Sequence, residues 1–229
     1  MKIDAYDRKI LFALDQNARE SYVQLAKKSG LSKDAVKYRI NNYLKKGLLG
    51  GFYTLIDSSK LGYYSFRIYF SFKNSSIKEE ERIIKYLIKE KNVFYLVEVE
   101  GQFNIGLGYF SKTIEEFYEF MTLFKETFSQ VDIFNQGLFI YLQHFDRNYL
   151  TNQIRLQKPK KIIQEPENYN IDKIDLKILK LISTNARIQI IDICEKVKLT
   201  PKAVLFRMRK LENKGIILGY KSKLNLDKI

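Results

Sequence analysis

The residues best suited to chemistry in this chain crowd into two short stretches. In LSKDAVKYRINNYLKKGLLGGF (31–52), Lys33 is followed closely by Lys37, Tyr38, Arg39, Asn41 and Asn42. Wound as a helix at about 100° per residue, the stretch puts Val36, Ile40, Tyr43 and Leu44 on one face. Asp34, Tyr38, Asn41, Asn42 and Lys45 fall on the opposite face, with Lys37 and Arg39 at its flanks. Lysine and arginine can meet phosphate or guanine, and asparagine can pair with adenine, so this face suits a helix laid in the major groove of double-stranded DNA. An ordinary solvated helix carries many of the same residues, and this stretch alone leaves both readings open.

The second stretch, LTPKAVLFRMRKLENKGIILGY (199–220), tips the balance. A shift of 168 residues lays 7–52 over 175–220 without a gap, and 15 of those 46 positions are identical, among them Asp7/Asp175, Arg19/Arg187, Arg39/Arg207, Gly47/Gly215 and Gly51/Gly219. A repeat of this length is a duplicated module. Its outward face offers Lys202, Phe206, Arg209, Lys210 and Asn213. Arg39 and Arg207 lie at the flank of each face and are assigned to phosphate; the rest of the reading set is Lys33, Lys37, Tyr38, Asn41 and Asn42 in the first copy and Lys202, Phe206, Arg209 and Lys210 in the second.

Stepping outward from these residues, Ser32 and Thr200 are N-caps, Pro201 takes the first helical position, and Gly47 ends the first reading helix. DAYDRKILFALDQNA supplies a first helix with Ile10, Leu11 and Leu14 inward; SYVQLAKKSG supplies a second, with Gly30 turning into the third. LLGGFYTLID is expected to form a wing hairpin with Gly50–Gly51 at its bend. Each copy therefore reads as a winged helix-turn-helix, over 1–58 and 171–229.

Charge separates the chain into parts. The net charge is +14 overall, but +5 over 1–58 and +8 over 171–229 against −3 over 61–146. Basic ends suit phosphate contact and the acidic middle suits another task. The middle reads as strand, helix, strand, strand, helix and one long last strand through VDIFNQGLFIYLQHF, with a hairpin over Gly101–Gln102 and an amphipathic helix carrying Ile83, Ile84, Leu87 and Ile88. That order is the ferredoxin-like βαββαβ plan, so the whole chain is α+β. Its many aromatics on both sheet faces call for cover on the side away from the helices, hence a homodimer or higher oligomer through the sheets. Residues 147–170, with Pro159, Pro166 and the basic KPKK, form a linker whose Lys158, Lys160 and Lys161 are read as a solvated tether.

Together these motifs resemble the leucine-responsive and asparagine-synthetase-C (Lrp/AsnC) regulators. The resemblance rests on the D…IL..L..NAR opening, the LS…V..RI..L...G reading helix and the glycine-bearing wing, and covers 3–58 and 171–226. It implies a sequence-specific DNA-binding transcriptional regulator whose central domain dimerises. In that family a glycine-x-x-aspartate stretch helps hold an amino-acid effector at the dimer interface. The matching stretch here, Gly101-Gln102-Phe103-Asn104, replaces the aspartate by an amide, which puts amino-acid binding in doubt and leaves Gly101, Gln102 and Asn104 as a candidate small-molecule site.

Enzyme chemistry is thinly supported. His144 is the single histidine, Cys194 the single cysteine and a small core residue, and no metal-ligand spacing or phosphate-binding loop occurs. No cofactor, metal or catalytic residue is expected. Sirohaem decarboxylases resemble Lrp/AsnC regulators in both domains, and His144 with Arg67 or Arg147 is the only basis for that alternative; an architectural DNA binder of low specificity is the other. No apolar run approaches the ~20 residues of a membrane span, and no signal peptide opens the chain, so a cytoplasmic protein is expected. The second copy stops where a second acidic domain would begin, so a longer tandem parent is a further expectation.

Overall fold

The computed structural model describes residues 3–139, 141–151, 160–163, 165–167 and 169–228. The chain starts with three helices and a strand: α1 (Ala5–Gln16), α2 (Tyr22–Ser29), α3 (Lys33–Lys45) and β1 (Leu49–Ile56). Asp4, Ser21 and Ser32 cap the three helices by accepting the backbone N–H three residues on. Ile10, Leu11, Leu14, Leu25, Val36, Ile40 and Tyr43 close the core between them. Leu44, placed inward by the helical wheel, is instead 40% exposed; Tyr43 and Leu48 fill that part of the core.

Next come β2 (Tyr64–Phe72), α4 (Ile77–Lys89), β3 (Val93–Glu98), β4 (Ile105–Ser111), α5 (Ile114–Thr127) and β5 (Val131–Leu138). The strands form one antiparallel sheet in the order β3-β4-β2-β5, the ferredoxin-like arrangement. Phe66, Ile68 and Phe70 of β2 and Ile105, Leu107 and Tyr109 of β4 pack against Ile83, Leu87, Phe117, Phe120 and Phe124 of the two helices. Ile84 only half-buries and Ile88 is 67% exposed, so α4 turns a narrower stripe to the sheet than its sequence suggests. The long last strand is broken in two. Leu138 pairs with Phe66 and the Phe139 N–H reaches Ser65 O, one residue short of the start of β2 at Tyr64. The chain leaves this sheet, and β6 (Tyr141–His144) pairs with β7 (Lys160–Ile163). The supposed tether thus contains a strand; Lys158 and Pro159 lie outside the described residues.

The second copy follows as α6 (Lys173–Thr184), α7 (Ile190–Val197), α8 (Pro201–Asn213) and β8 (Ile217–Leu224). Asp172 and Thr200 cap α6 and α8 as Asp4 and Ser32 cap α1 and α3. Where Gly30 ends α2 at φ 78°, Lys198 ends α7 in the same left-handed region at φ 56°. Cys194 is half-buried.

Two compact units result. One combines the chain up to Asp57, the segment Gln143–Lys160 and Asn170 onward; the other holds Ser58–Leu142 and Lys161–Tyr169. Both winged helices therefore lie in the same unit, and their wings are not hairpins. β1 and β8 pair with each other, antiparallel, as one two-stranded ribbon. Gly51 and Gly219, both at positive φ, sit at its irregularities rather than at bends. A lone wing strand would leave its backbone groups open to another chain, and here the duplicate copy takes them.

Candidate nucleic-acid interface

The ribbon has an internal twofold. Tyr53 faces Lys221, its own equivalent in the second copy, so the axis passes between them; Phe52↔Ser222 and Thr54↔Tyr220 are then the same pair seen from either side. The hydrogen bonds repeat the symmetry. Ala18 N–H donates to Tyr220 O at 2.9 Å and Ala186 N–H to Phe52 O at 3.0 Å; Asp57 N–H donates to Ile216 O and Asn225 N–H to Leu48 O, both at 2.9 Å. Arg19 Nη1 donates to Ala186 O at 2.7 Å, and Arg187 Nη1 to Ala18 O at 2.5 Å and Glu20 O at 3.0 Å. Each guanidinium also lies over an aromatic ring of the ribbon, Arg19 over Tyr220 and Arg187 over Phe52, both at 5.4 Å.

The axis itself departs from symmetry. Lys221 is fully buried, and its ammonium donates to Asp15 O at 2.7 Å and to the Asp146 carboxylate. Asp15, whose equivalent is Ser183, takes the Arg147 N–H at 2.8 Å and the Arg147 guanidinium on its carboxylate. A buried ammonium without such partners would be expensive, so residues 146–147 fix one side of the seam.

This frame carries α3 and α8 in equivalent positions. Tyr38 is 71% and Phe206 68% exposed, far from what an isolated aromatic gains by solvation. Lys33, Lys37, Asn41, Lys202, Arg209 and Lys210 are exposed beside them, and Asn42 is half-buried. The structure thus keeps these candidate residues at the surface of two equivalent helices.

Arg39 and Arg207 have another task. Arg39 pairs with Asp4 at 2.8 Å and with Asp7, whose carboxylate also accepts the buried Tyr43 hydroxyl. Arg207 pairs with Asp172 at 2.5 Å and Asp175 at 2.7 Å. Burial opposes the charge of Arg39, but its carboxylate bonds outweigh it and hold the guanidinium more firmly protonated than usual; for Arg207 the Asp175 and Asp172 bonds dominate outright. The Asp7 and Asp175 backbone N–H groups, and after them the arginines, hold the Asp4 and Asp172 carboxyls below their ordinary value. Burial, then the Asp7 bond, raises Tyr43. Arg39 and Arg207, expected at the phosphate backbone, each clamp the first and third helices of their own copy through two carboxylates. Arg19, Arg187 and Lys221 were not singled out by sequence reasoning; the identity of Arg19 and Arg187 in both copies was the available signal.

In the central unit Asn104 is a structural residue. Its Oδ1 accepts the Phe72 N–H at 3.0 Å, while its backbone bonds Phe70 O and Val99 N–H. The side-chain oxygen that would face an ammonium thus already accepts one bond from the sheet. Gly101 holds a turn at φ 126° and Gln102 is exposed next to it. A cleft of about 560 Å³ in this unit lies elsewhere, against Tyr86, Glu90, Asn92, Tyr109, Lys112 and Glu116. On the sheet face away from the helices, Arg67 lies over Tyr95 at 4.3 Å and Phe139 at 4.8 Å. Gly108 makes room for Phe94, whose Cζ would stand 2.7 Å from any added Cβ. Arg67 and Arg147 belong to different units, and Arg147 is already held by Asp15. Among the described residues no group of three or more His, Cys, Asp and Glu could hold a metal ion, and no helix is long and apolar enough to cross a membrane.

Comparison with known proteins agrees with this geometry. A family model for winged helix-turn-helix DNA-binding matches residues 3–49 and again 171–217. The regulatory protein AsnC of Haemophilus influenzae is 31% identical over 116 residues, which is 51% of this chain and 77% of that protein. An HTH-type transcriptional regulator of Pyrococcus furiosus is 26% identical over 163 residues, 71% of this chain and 92% of its own. Among solved structures, a sirohaem decarboxylase shares the fold at a TM-score of 0.64 and 13% identity, over 96% of this chain and 65% of that longer one. A Neisseria meningitidis transcriptional regulator in complex with L-methionine matches at 0.55 and 20% identity, over 60% of this chain and 90% of that chain. With two winged helices, a ferredoxin-like central sheet and these relatives, the chain belongs to the Lrp/AsnC family of transcriptional regulators.

Proposed function

We propose that this chain is a sequence-specific, DNA-binding transcriptional regulator that acts in the cytoplasm and contacts duplex DNA through both α3 and α8. The observation that carries this reading is the pair of equivalent surface helices, each presenting an aromatic and several cationic or amide side chains, in segments of charge +5 and +8. Each phosphate neutralised releases counterions, so affinity should fall steeply with salt, by about 0.9 log units per tenfold salt for each contact. Full-length protein carrying Asn41→Ala, Asn42→Ala, Arg209→Ala and Lys210→Ala should lose its preference for selected over random DNA. It should also show a shallower salt slope in a fluorescence-anisotropy titration. Wild-type protein that binds no duplex at low salt would overturn the reading.

The central unit serves dimerisation in this proposal, through the sheet face carrying Tyr69, Phe94, Tyr95 and Phe139. Phe94 and Tyr95 are 42% and 38% exposed there, which supports cover by a second copy. Light scattering at micromolar concentration should report at least a dimer. A small-molecule effector near Gly101, Gln102 and Asn104 is supported only by kinship, and the Asn104 oxygen, already bonded to the sheet, weakens an amino acid as its identity. The decarboxylase alternative rests on shared fold alone; appearance of a shifted Soret band on adding sirohaem would favour it.

A further inference from the structure

The duplication did not preserve the two reading faces alike. The twofold equates Lys37 with Leu205, Tyr38 with Phe206, Asn41 with Arg209 and Asn42 with Lys210. By contrast, the residues that build the frame repeat unchanged: Asp7/Asp175, Arg19/Arg187, Arg39/Arg207 and Gly51/Gly219. In each of these pairs the structure shows the same bond or backbone geometry on both sides. The frame pairs keep their chemistry, whereas these exposed positions exchange a cation for leucine and amides for cations; buried exchanges such as Tyr53/Lys221 and Asp15/Ser183 belong to the axis of the ribbon.

A twofold between two reading helices is the symmetry of inverted half-sites on duplex DNA, where a dimer of identical chains meets a palindrome. Here a single chain holds both helices across a continuous, hydrogen-bonded ribbon. Its two helices ask for different bases. The amides of Asn41 and Asn42 match the donor–acceptor edge of adenine, whereas Arg209 and Lys210 match the paired acceptors of guanine. Leu205, 41% exposed where the first copy has Lys37, adds an apolar contact of the kind thymine's methyl group accepts.

We infer that one copy of this chain reads an inverted pair of unlike half-sites, an adenine-bearing half through α3 and a guanine-bearing half through α8. The inference rests on the DNA-binding reading above and adds an asymmetric, oriented target to it. An oriented site lets a regulator distinguish the two directions along a duplex, which a symmetric reader of a palindrome cannot do.

Selection of bound sites from random duplex DNA, using the full chain, tests this. Wild-type protein should enrich two inverted, non-identical half-sites. The variant Arg209→Asn with Lys210→Asn should convert the guanine-bearing half towards the adenine-bearing one, and Asn41→Arg with Asn42→Lys should do the reverse. Each swap should change the preference at the affected base pairs by about tenfold or more. None of the four residues is buried, and unchanged thermal melts would show that the frame is intact. A perfect palindrome for wild type, a single half-site unaffected by the Arg209/Lys210 exchange, or binding without sequence preference would overturn the inference while leaving DNA binding in place. No binding to any duplex would instead remove the DNA-binding reading itself.

Discussion

Asp4 and Asp172 show how one side chain can serve two levels of structure. Each caps a helix N-terminus and each holds an arginine that reaches back from the reading helix of its copy. Both carboxyls titrate below their ordinary value, so the folded state binds their protons less readily than the unfolded chain does. The resulting stability is present above the unfolded value of about 3.9 and is lost as pH falls through the lower folded values. The double variant Asp4→Asn, Asp172→Asn keeps a capping oxygen and removes only the charge. It should melt below wild type at pH 7, with the gap closing below about pH 4. A gap that persisted undiminished into acid would show that the charge is not what the arginines use.

At the scale of elements, two arginines add to the ladder that joins β1 and β8. Each guanidinium crosses from one copy to backbone carbonyls in the connection between the other copy's first and second helices. Hydrogen bonds from a charged donor to carbonyls contribute about 1.5–3 kcal/mol. Arg187→Ala should therefore lower unfolding stability by about 2 kcal/mol in urea titration. Arg187→Lys should recover less than half of the loss, because an ammonium lacks the flat guanidinium that stacks on Phe52. Full recovery by lysine would mean that charge alone holds the seam. Arg19 faces a burial penalty that pulls its guanidinium below its ordinary value, so Arg19→Ala should cost somewhat less than Arg187→Ala.

For the whole molecule, the two copies are halves of one unit and not independent modules on a tether. Removal of 171–229 would strip β8 from β1 and uncover Leu49, Phe52 and Thr54, which are at most 9% exposed in the complete unit. The expected result is loss of that unit's cooperative melting transition and strong binding of an apolar dye, with the transition of the central unit retained. A truncated chain that melted cooperatively in two steps, without dye binding, would show that the first winged helix stands by itself. For the same reason, point variants of the reading residues are the informative way to weigh each copy's contact with DNA.

Local physics was legible in the sequence. Apolar period, caps and turn residues placed α1, α2 and α3 and their copies, because Ile10, Leu11, Leu14 and the caps Ser32 and Thr200 act within a few residues of themselves. The exposed reading face followed from the same period, and the 168-residue repeat announced the duplication. Partner choice was not legible. A strand's alternation says which side is buried but not which strand accepts its hydrogen bonds, so LLGGFYTLID fitted a hairpin as well as half of a ribbon. Nor does a sequence say where a charge is discharged: Arg39, Arg207 and Arg147 carried the right chemistry for phosphate or ligand until the fold brought Asp4, Asp7, Asp172, Asp175 and Asp15 against them. Helix and cap are decided by neighbours along the chain, whereas pairing of β1 with β8 and burial of Lys221 are decided by residues far along the chain, which only the tertiary structure brings together.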